Sequence, residues 1–294
     1  MNRTRILPIV KVCARATVFL SVGFVILSAG KARAQLEPLV LYDDFSAPTI
    51  SASKWFGGEG FDFLGLEAKR GVSNGQLELA TRSVGFTASD SGVGTNSVFL
   101  AHPAPEEVTD MRVKITASRV RARGCATNSN DVTETFAVLS GAFFNTAAPQ
   151  PVSASSQVSN NDRTNDVVAA IGLYSNSTFP AGAAGVLFYV IECTNNDCST
   201  FDIIDADLLA DVPVGTEVNV RMQWDQTNHQ FTFGQSANDT VSVPYAVSDS
   251  SSPGMPFKRL EVSNSVANCT TEPRPIAEIA ALFDDVSVNQ SAVP

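Results

Sequence analysis

"EVNVRMQWDQTNHQFTFG", residues 217–234, alternates apolar and polar side chains with a period of two. Val218, Val220, Met222 and Trp224 fall on one side of an extended chain, and Asn219, Arg221 and Gln223 fall on the other. "DQTN" (225–228) supplies turn chemistry, and the returning segment carries Phe231 and Phe233 inward. The stretch reads as a β-hairpin buried on one face. "GQLELA" (75–80) repeats the pattern through Leu77 and Leu79, directly after the turn signal "SNG", and "DMRVKITA" (110–117) does so through Met111, Val113, Ile115 and Ala117. The runs "FAVLSGAFF" (136–144), "VVAAIGLY" (167–174) and "AGVLFYVI" (184–191) are continuously apolar, as strands covered on both faces are. Turn residues punctuate the chain every ten or so positions, and no segment sustains a 3.6-residue stripe with caps. The reading is an all-β protein, a two-sheet antiparallel β-sandwich.

The first 34 residues carry six basic side chains and no acid around the apolar run "ATVFLSVGFVILSAG" (16–30), closing on "ARA". This is the pattern of a signal peptide cut after Ala34, and a run of 15 residues is shorter than the roughly 20 a spanning helix needs. Cys13 precedes the apolar run and Gln35 follows the expected cut, so the thiol of a lipid anchor is missing. The expectation is a secreted or periplasmic bacterial protein with one domain over residues 35–294 and no membrane insertion. Without the leader, 14 basic and 30 acidic residues remain, a net charge of −16, which disfavours nucleic acid as a partner. Cys125, Cys193, Cys198 and Cys269 also remain, an even number that reads as two disulfides in an exported chain. The spacing "CTNNDC" allows a local Cys193–Cys198 clip and leaves Cys125 for Cys269. With only His102 and His229 in the chain, and no second close cysteine pair, zinc spacing is not met. Residues 145–166, "NTAAPQPVSASSQVSNNDRTND", have almost no bulky apolar side chains and read as a long mobile loop between two core strands.

Several pieces in order carry a resemblance. "DDFSAPTISASKW" (43–55), then "NGQLELA" (74–80), "GVLFYVIEC" (185–193), the hairpin of 217–234 and the last strand "AEIAALFDDVSVN" (277–289) resemble the concanavalin A-like lectin/glucanase jelly rolls of secreted bacterial proteins, across nearly all of residues 38–290. The resemblance implies that the first and last strands are neighbours, hiding sheet edges. Phe45 and Phe283 then turn inward. The adjoining acids, Asp43, Asp44, Asp284 and Asp285, have two readings: a soluble closure motif facing water, or a structural Ca²⁺ site fed from both chain ends.

The glucanases of this superfamily use Glu-x-Asp-x-Glu on one strand, where alternate residues share a face and two carboxylates work about 5 Å apart. The nearest stretch, "FDIIDADLL" (201–209), offers Asp205 and Asp207 on one face and Asp202 on the other, with Ile203 where a third acid belongs. That motif fails, which leaves hydrolysis by acids from separate loops, such as Glu59 and Glu67, as the alternative. Gly-x-x-x-x-Gly-Lys and His-Glu-x-x-His are absent from the sequence. A sugar site needs an exposed aromatic face with polar neighbours. Trp55 and Phe56, beside Glu59 and Asp62, are the candidates, against the reading of Trp55 as a core plug. "SRVRARGC" places Arg119, Arg121 and Arg123 on one strand face; a bulge near Ser118 would align Arg112 and Lys114 with them. The stripe suits the carboxylates of an acidic polysaccharide, or is a solvated face balanced by neighbouring acids. The function expected is noncatalytic, lectin-like glycan binding. The alternatives are a divergent glycoside hydrolase and a structural or adhesive surface domain that binds protein.

Overall fold

The computed structural model describes residues 38–62, 67–85, 93–128, 132–147, 162–236 and 239–289, with the backbone alone at Phe61, Asp62, Glu67, Val93 and Ser236. The signal-peptide reading and the centre of the 145–166 loop lie outside these residues. Among them no helix is long and apolar enough to cross a membrane.

The described strands build two antiparallel sheets. One contains β1 (Leu39–Asp43), β3 (Gly60–Asp62), β4 (Glu67–Ser73), β5 (Gln76–Val84), β7 (Asp110–Arg123), β12 (Glu217–Asp225), β13 (Gln230–Ser236), β14 (Asp239–Pro244) and β16 (Ile276–Asn289). The other contains β2 (Trp55–Phe56), β6 (Val93–Leu100), β8 (Glu134–Asn145), β9 (Asp166–Asn176), β10 (Ala183–Cys193), β11 (Phe201–Pro213) and β15 (Lys258–Ser265). The first sheet runs β14-β13-β12-β7-β16-β5-β4-β3, and β1 joins β16 past the end of β5. The second runs β11-β10-β9-β8-β15-β6-β2. This is the jelly-roll sandwich that the strand patterns predict.

The alternation fixes which face of each strand is buried. Val220, Met222, Phe231 and Phe233 are fully covered or nearly so, as are Leu77, Leu79, Val113 and Ile115, and all join one core with Leu139, Ile171, Val190 and Phe283. Asn74 and Gly75 both have positive φ, 52° and 75°, the conformation that a tight Asn-Gly hairpin turn requires between β4 and β5. The two disulfides are Cys125–Cys269 and Cys193–Cys198, the pairing that the spacing allows. In the chain-entropy model the long bridge contributes roughly 4 to 5 kcal/mol by restricting the unfolded chain.

The echo of "DDF" and "FDD" has a structural answer. β1 does pair with β16, Asp43 opposite Val286, and both Phe45 and Phe283 are buried. Asp43, however, does not face water. It is 6% exposed and accepts the indole N–H of Trp55 at 2.7 Å, the backbone N–H of Phe45 at 3.1 Å and Lys54 Nζ at 3.2 Å. At the other end, Asp284 and Asp285 form a bulge in which the register against β7 jumps from Asp284 to Ser287. Asp285 takes φ 49°, a left-handed conformation that Asp tolerates better than most residues.

At the start of β15, Lys258 is wholly buried, with its Nζ donating to the Ala142 carbonyl at 2.7 Å and lying 4.1 Å from the centre of the Phe143 ring. Burial pushes its ammonium down from the usual 10.5 to about 7, opposed by the charge of Glu106. The unfolded chain therefore keeps a proton that the folded chain releases, and folding stability rises with pH between about 7 and 10.5. One proton gives a slope of about 1.4 kcal/mol per pH unit. Urea titrations at pH 7, 8, 9 and 10 should show this rise in the wild type and its loss in Lys258→Met. Parallel curves for the two proteins would contradict the assignment.

Candidate functional site

β2 brings the first candidates onto the edge of the seven-stranded sheet. It pairs with β6, Trp55 opposite Leu100 and Phe56 opposite Phe99, so the two aromatic side chains of β2 face opposite ways. Trp55 faces the core. It is 1% exposed, stacked on Phe45 at 5.6 Å, met edge-on by Tyr42 at 5.6 Å, and hydrogen bonded to Asp43. It presents no open face to a sugar, so the core-plug reading holds. Phe56 is 45% exposed and looks outward beside Phe99. Glu59 is exposed on the following loop, and the Asp62 side chain lies outside the described residues.

Following the register from Phe56 across the sheet gives a row on its outer face: Phe99, Arg259, Ser140, Ala170 and Tyr189. The next outward positions are Ser97, Glu261, Val138, Gly172 and Leu187. The floor in mid-sheet is therefore made of small side chains, with Ala142 continuing it, and aromatic rings flank it. Arg259 lies over this floor. Its Nε donates to Ser140 Oγ at 3.0 Å, and its guanidinium packs 4.8 Å from the Phe257 ring centre and 5.8 Å from that of Phe99. Arg163 covers Phe257 at 5.1 Å. Glu261 is buried, with Oε2 2.9 Å from Arg259 Nη1 in poor hydrogen-bonding alignment. Burial pushes its carboxyl up and the Arg163 guanidinium down, the latter also repelled by Arg259, while Tyr189 is pushed up to about 12. Nearby Asp166 is locked by Asn145 and by the backbone N–H groups of Gly254 and Met255, and burial raises it. The Cys193–Cys198 loop sits against this group: Arg163 N–H donates to the Asn196 carbonyl and Asn165 N–H to that of Cys193.

The basic stripe lies on the outer face of the other sheet. The register jumps at Ser118, with Ala117 opposite Ala281 and Arg119 opposite Ala280, and the Ser118 hydroxyl donates to the Ala280 carbonyl. This bulge puts Arg119, Arg121 and Arg123 on the same outer face as Arg112 and Lys114. Arg119 pairs with Glu278 at 2.8 Å and Lys114 with Asp285 at 2.8 Å, so acids of β16 balance part of the stripe. The four candidate calcium ligands do not form one cluster. Asp43 is taken by Trp55, Phe45 and Lys54; Asp44 accepts Ser46 N–H; Asp284 accepts Asp285 N–H; and Asp285 pairs with Lys114. Among the described residues no three His, Cys, Asp or Glu side chains gather at metal-binding distance. These acids therefore do not fit a calcium centre as they stand. On β11 a bulge between Ile203 and Asp205 breaks the alternation, and Asp202, Asp205 and Asp207 are all exposed along a sheet edge. Sequence reading missed Arg163, Arg259 and Phe257. Phe257 and Arg259 are neighbours at the start of β15, whereas Arg163 precedes β9, and only strand order brings it to them.

No family model matches the sequence, and no curated protein is similar to it. Solved structures similar in architecture include a LamA variant from Zobellia galactanivorans in complex with laminaritriose and laminaritetraose (11% identity, 87% of this chain and 100% of that one, TM-score 0.42). Another is SCLam, a non-specific endo-β-1,3(4)-glucanase (12%, 84% and 91%, 0.40). A third is the exoplasmic/lumenal domain of VIP36 bound to Ca²⁺ and Man3GlcNAc (10%, 85% and 90%, 0.34). A sialidase is matched over 86% of this chain but only 18% of its own length (10% identity, TM-score 0.38). At such identities and scores the likeness assigns no activity.

Removing the indole opens a void at the β1/β2 junction and strands the Asp43 carboxylate. Trp55→Ala should cost about 3 to 5 kcal/mol in urea unfolding. A loss below about 1 kcal/mol would show that the plug is dispensable. The described strands form two antiparallel sheets, and the terminal strands β1 and β16 pair.

Proposed function

We propose that the protein binds a glycan, without catalysis, on the outer face of the seven-stranded sheet. The observation that carries the reading is the half-exposed Phe56 ring beside Phe99, followed across the sheet by Arg259, Ser140 and Tyr189 over a floor of small residues. The open Phe56 ring covers the apolar face of a pyranose, and the partly exposed Arg259 guanidinium supplies directional hydrogen bonds. The carboxylates of this face favour binding over hydrolysis. On the five central strands the acids at outward register positions are Glu134, Glu261 and Asp166. Glu134 pairs with Ser265 while Glu261 pairs with Val138, an offset of four residues along the strands. That offset separates them by roughly 13 Å or more at the backbone, at about 3.3 Å per residue. Asp166 lies farther along the same face. Glycosidase pairs work at about 5 to 10 Å.

The test is a glycan array with the exported chain and with Phe56→Ala. The substitution should lower the affinity for every hit about five- to tenfold, the range expected for losing one aromatic stacking contact, with an unchanged melting temperature. A folded wild type that leaves the array blank, or hits indifferent to Phe56→Ala, would overturn the reading. Release of reducing ends from a bound glycan would favour the hydrolase instead.

A further inference from the structure

A second cavity lies away from the aromatic face, at the end of the sandwich tied by the Cys125–Cys269 disulfide. It has a volume of about 380 Å³, and its lining includes Arg123, Gly124, Asn128, Val132, Ser177 and Pro273. Three separate segments meet there: the end of β7, the turn leaving β9 and the chain entering β16. Arg123 is the last member of the basic stripe. Arg119 is paired with Glu278, whereas Arg123 Nε and Nη2 both donate to the Arg274 carbonyl. That contact fixes the guanidinium plane without neutralising its charge and leaves Nη1 for another partner. Glu272, the acid whose charge reaches Arg123, is committed to the backbone N–H and the Nε of Arg274. Among the described residues no carboxylate lines the cavity.

Gly124 keeps the space open. A Cβ there would meet Ser177 Oγ at 2.9 Å and Ser177 Cβ at 3.0 Å, so the absent side chain is what exposes the Ser177 hydroxyl. Val132, Pro273 and the buried Cys125 give an apolar wall opposite the polar groups. One fixed cation, a hydroxyl and an apolar wall in a small cavity are the complement of a small organic acid that also carries hydroxyls. The strongly acidic remainder of the molecule repels long polyanions, while one local cation still attracts a monovalent anion over about a Debye length.

We infer that this cavity is a binding site for a small hydroxy-carboxylate of the sugar-acid class, with Arg123 holding the carboxylate. The inference does not depend on the glycan reading, since no residue is shared between the two sites. Titration calorimetry at low salt, with glucuronate, glucose and inorganic phosphate as probes, tests it. Glucuronate should saturate one site at least tenfold more tightly than either glucose or phosphate. Arg123→Gln should weaken glucuronate tenfold or more, and Gly124→Ala should weaken it severalfold by crowding the Ser177 hydroxyl. Ser177→Ala, which leaves the volume intact, should weaken it severalfold. Phe56→Ala should titrate like the wild type, which separates this site from the aromatic face. Melting temperatures within 3 °C of the wild type identify folded variants. Failure of glucuronate to saturate, or Arg123→Gln behaving as wild type, would overturn the site. Phosphate or glucose binding as tightly as glucuronate would overturn the ligand class.

Discussion

The last strand holds the nine-stranded sheet together. β16 is hydrogen bonded to β7 along one side, and to β5 and then β1 along the other. Among the described residues, the β7-β12-β13-β14 half of the sheet and the β3-β4-β5 portion share no other strand pairing. β1 likewise has no other strand partner in the sheet. The sheet is therefore incomplete until residues 276–289 are in place, and its pairings span most of the described sequence. Such non-local pairing carries a large loop-closure cost and slows folding. The Cys125–Cys269 disulfide, which ties the end of β7 to the segment entering β16, reinforces this closure, and the Asp43 hold on Trp55 anchors β1.

The two outer faces of the sandwich differ in chemistry. On the nine-stranded sheet, charged side chains alternate in sign across neighbouring strands: Arg119 with Glu278, Lys114 with Asp285, and Arg221 with Asp110. Ion pairs of this exposed kind contribute little net stability, and they leave few charges for a ligand. On the seven-stranded sheet the outward positions are aromatic, small or buried and charged, and Phe56 stands at their margin. The exposed edge of that sheet, β11, is studded with Asp202, Asp205, Asp207 and Asp211, which discourages pairing with another strand.

Trp55 and Phe56 show how much of a site a sequence can hold. Both were legible as candidates because two large aromatics sit in a polar, glycine-rich setting. Period-two geometry guarantees that one of two adjacent strand residues faces in, but not which one. The choice depends on where β2 meets β6 and on the Asp43 carboxylate waiting for the indole N–H. The basic stripe was legible up to one bulge. Whether Ser118 interrupts the alternation could not be decided without the partner strand, because a bulge is defined by two residues opposing one.

By itself the sequence determined the strands, their buried faces and the antiparallel sandwich, and it allowed the cysteine pairing that the structure contains. Each follows from local periodicity, turn residues or the spacing of the cysteines. Tertiary structure alone decided that Asp43 is a buried anchor for the Trp55 indole rather than a surface acid, and that Arg163 meets Arg259 and Phe257. It also decided that Gly124 opens a cavity beside Arg123. The physical reason is common to all three: a pattern of period two fixes the face a side chain takes, whereas its neighbours on that face are set by strand order and register.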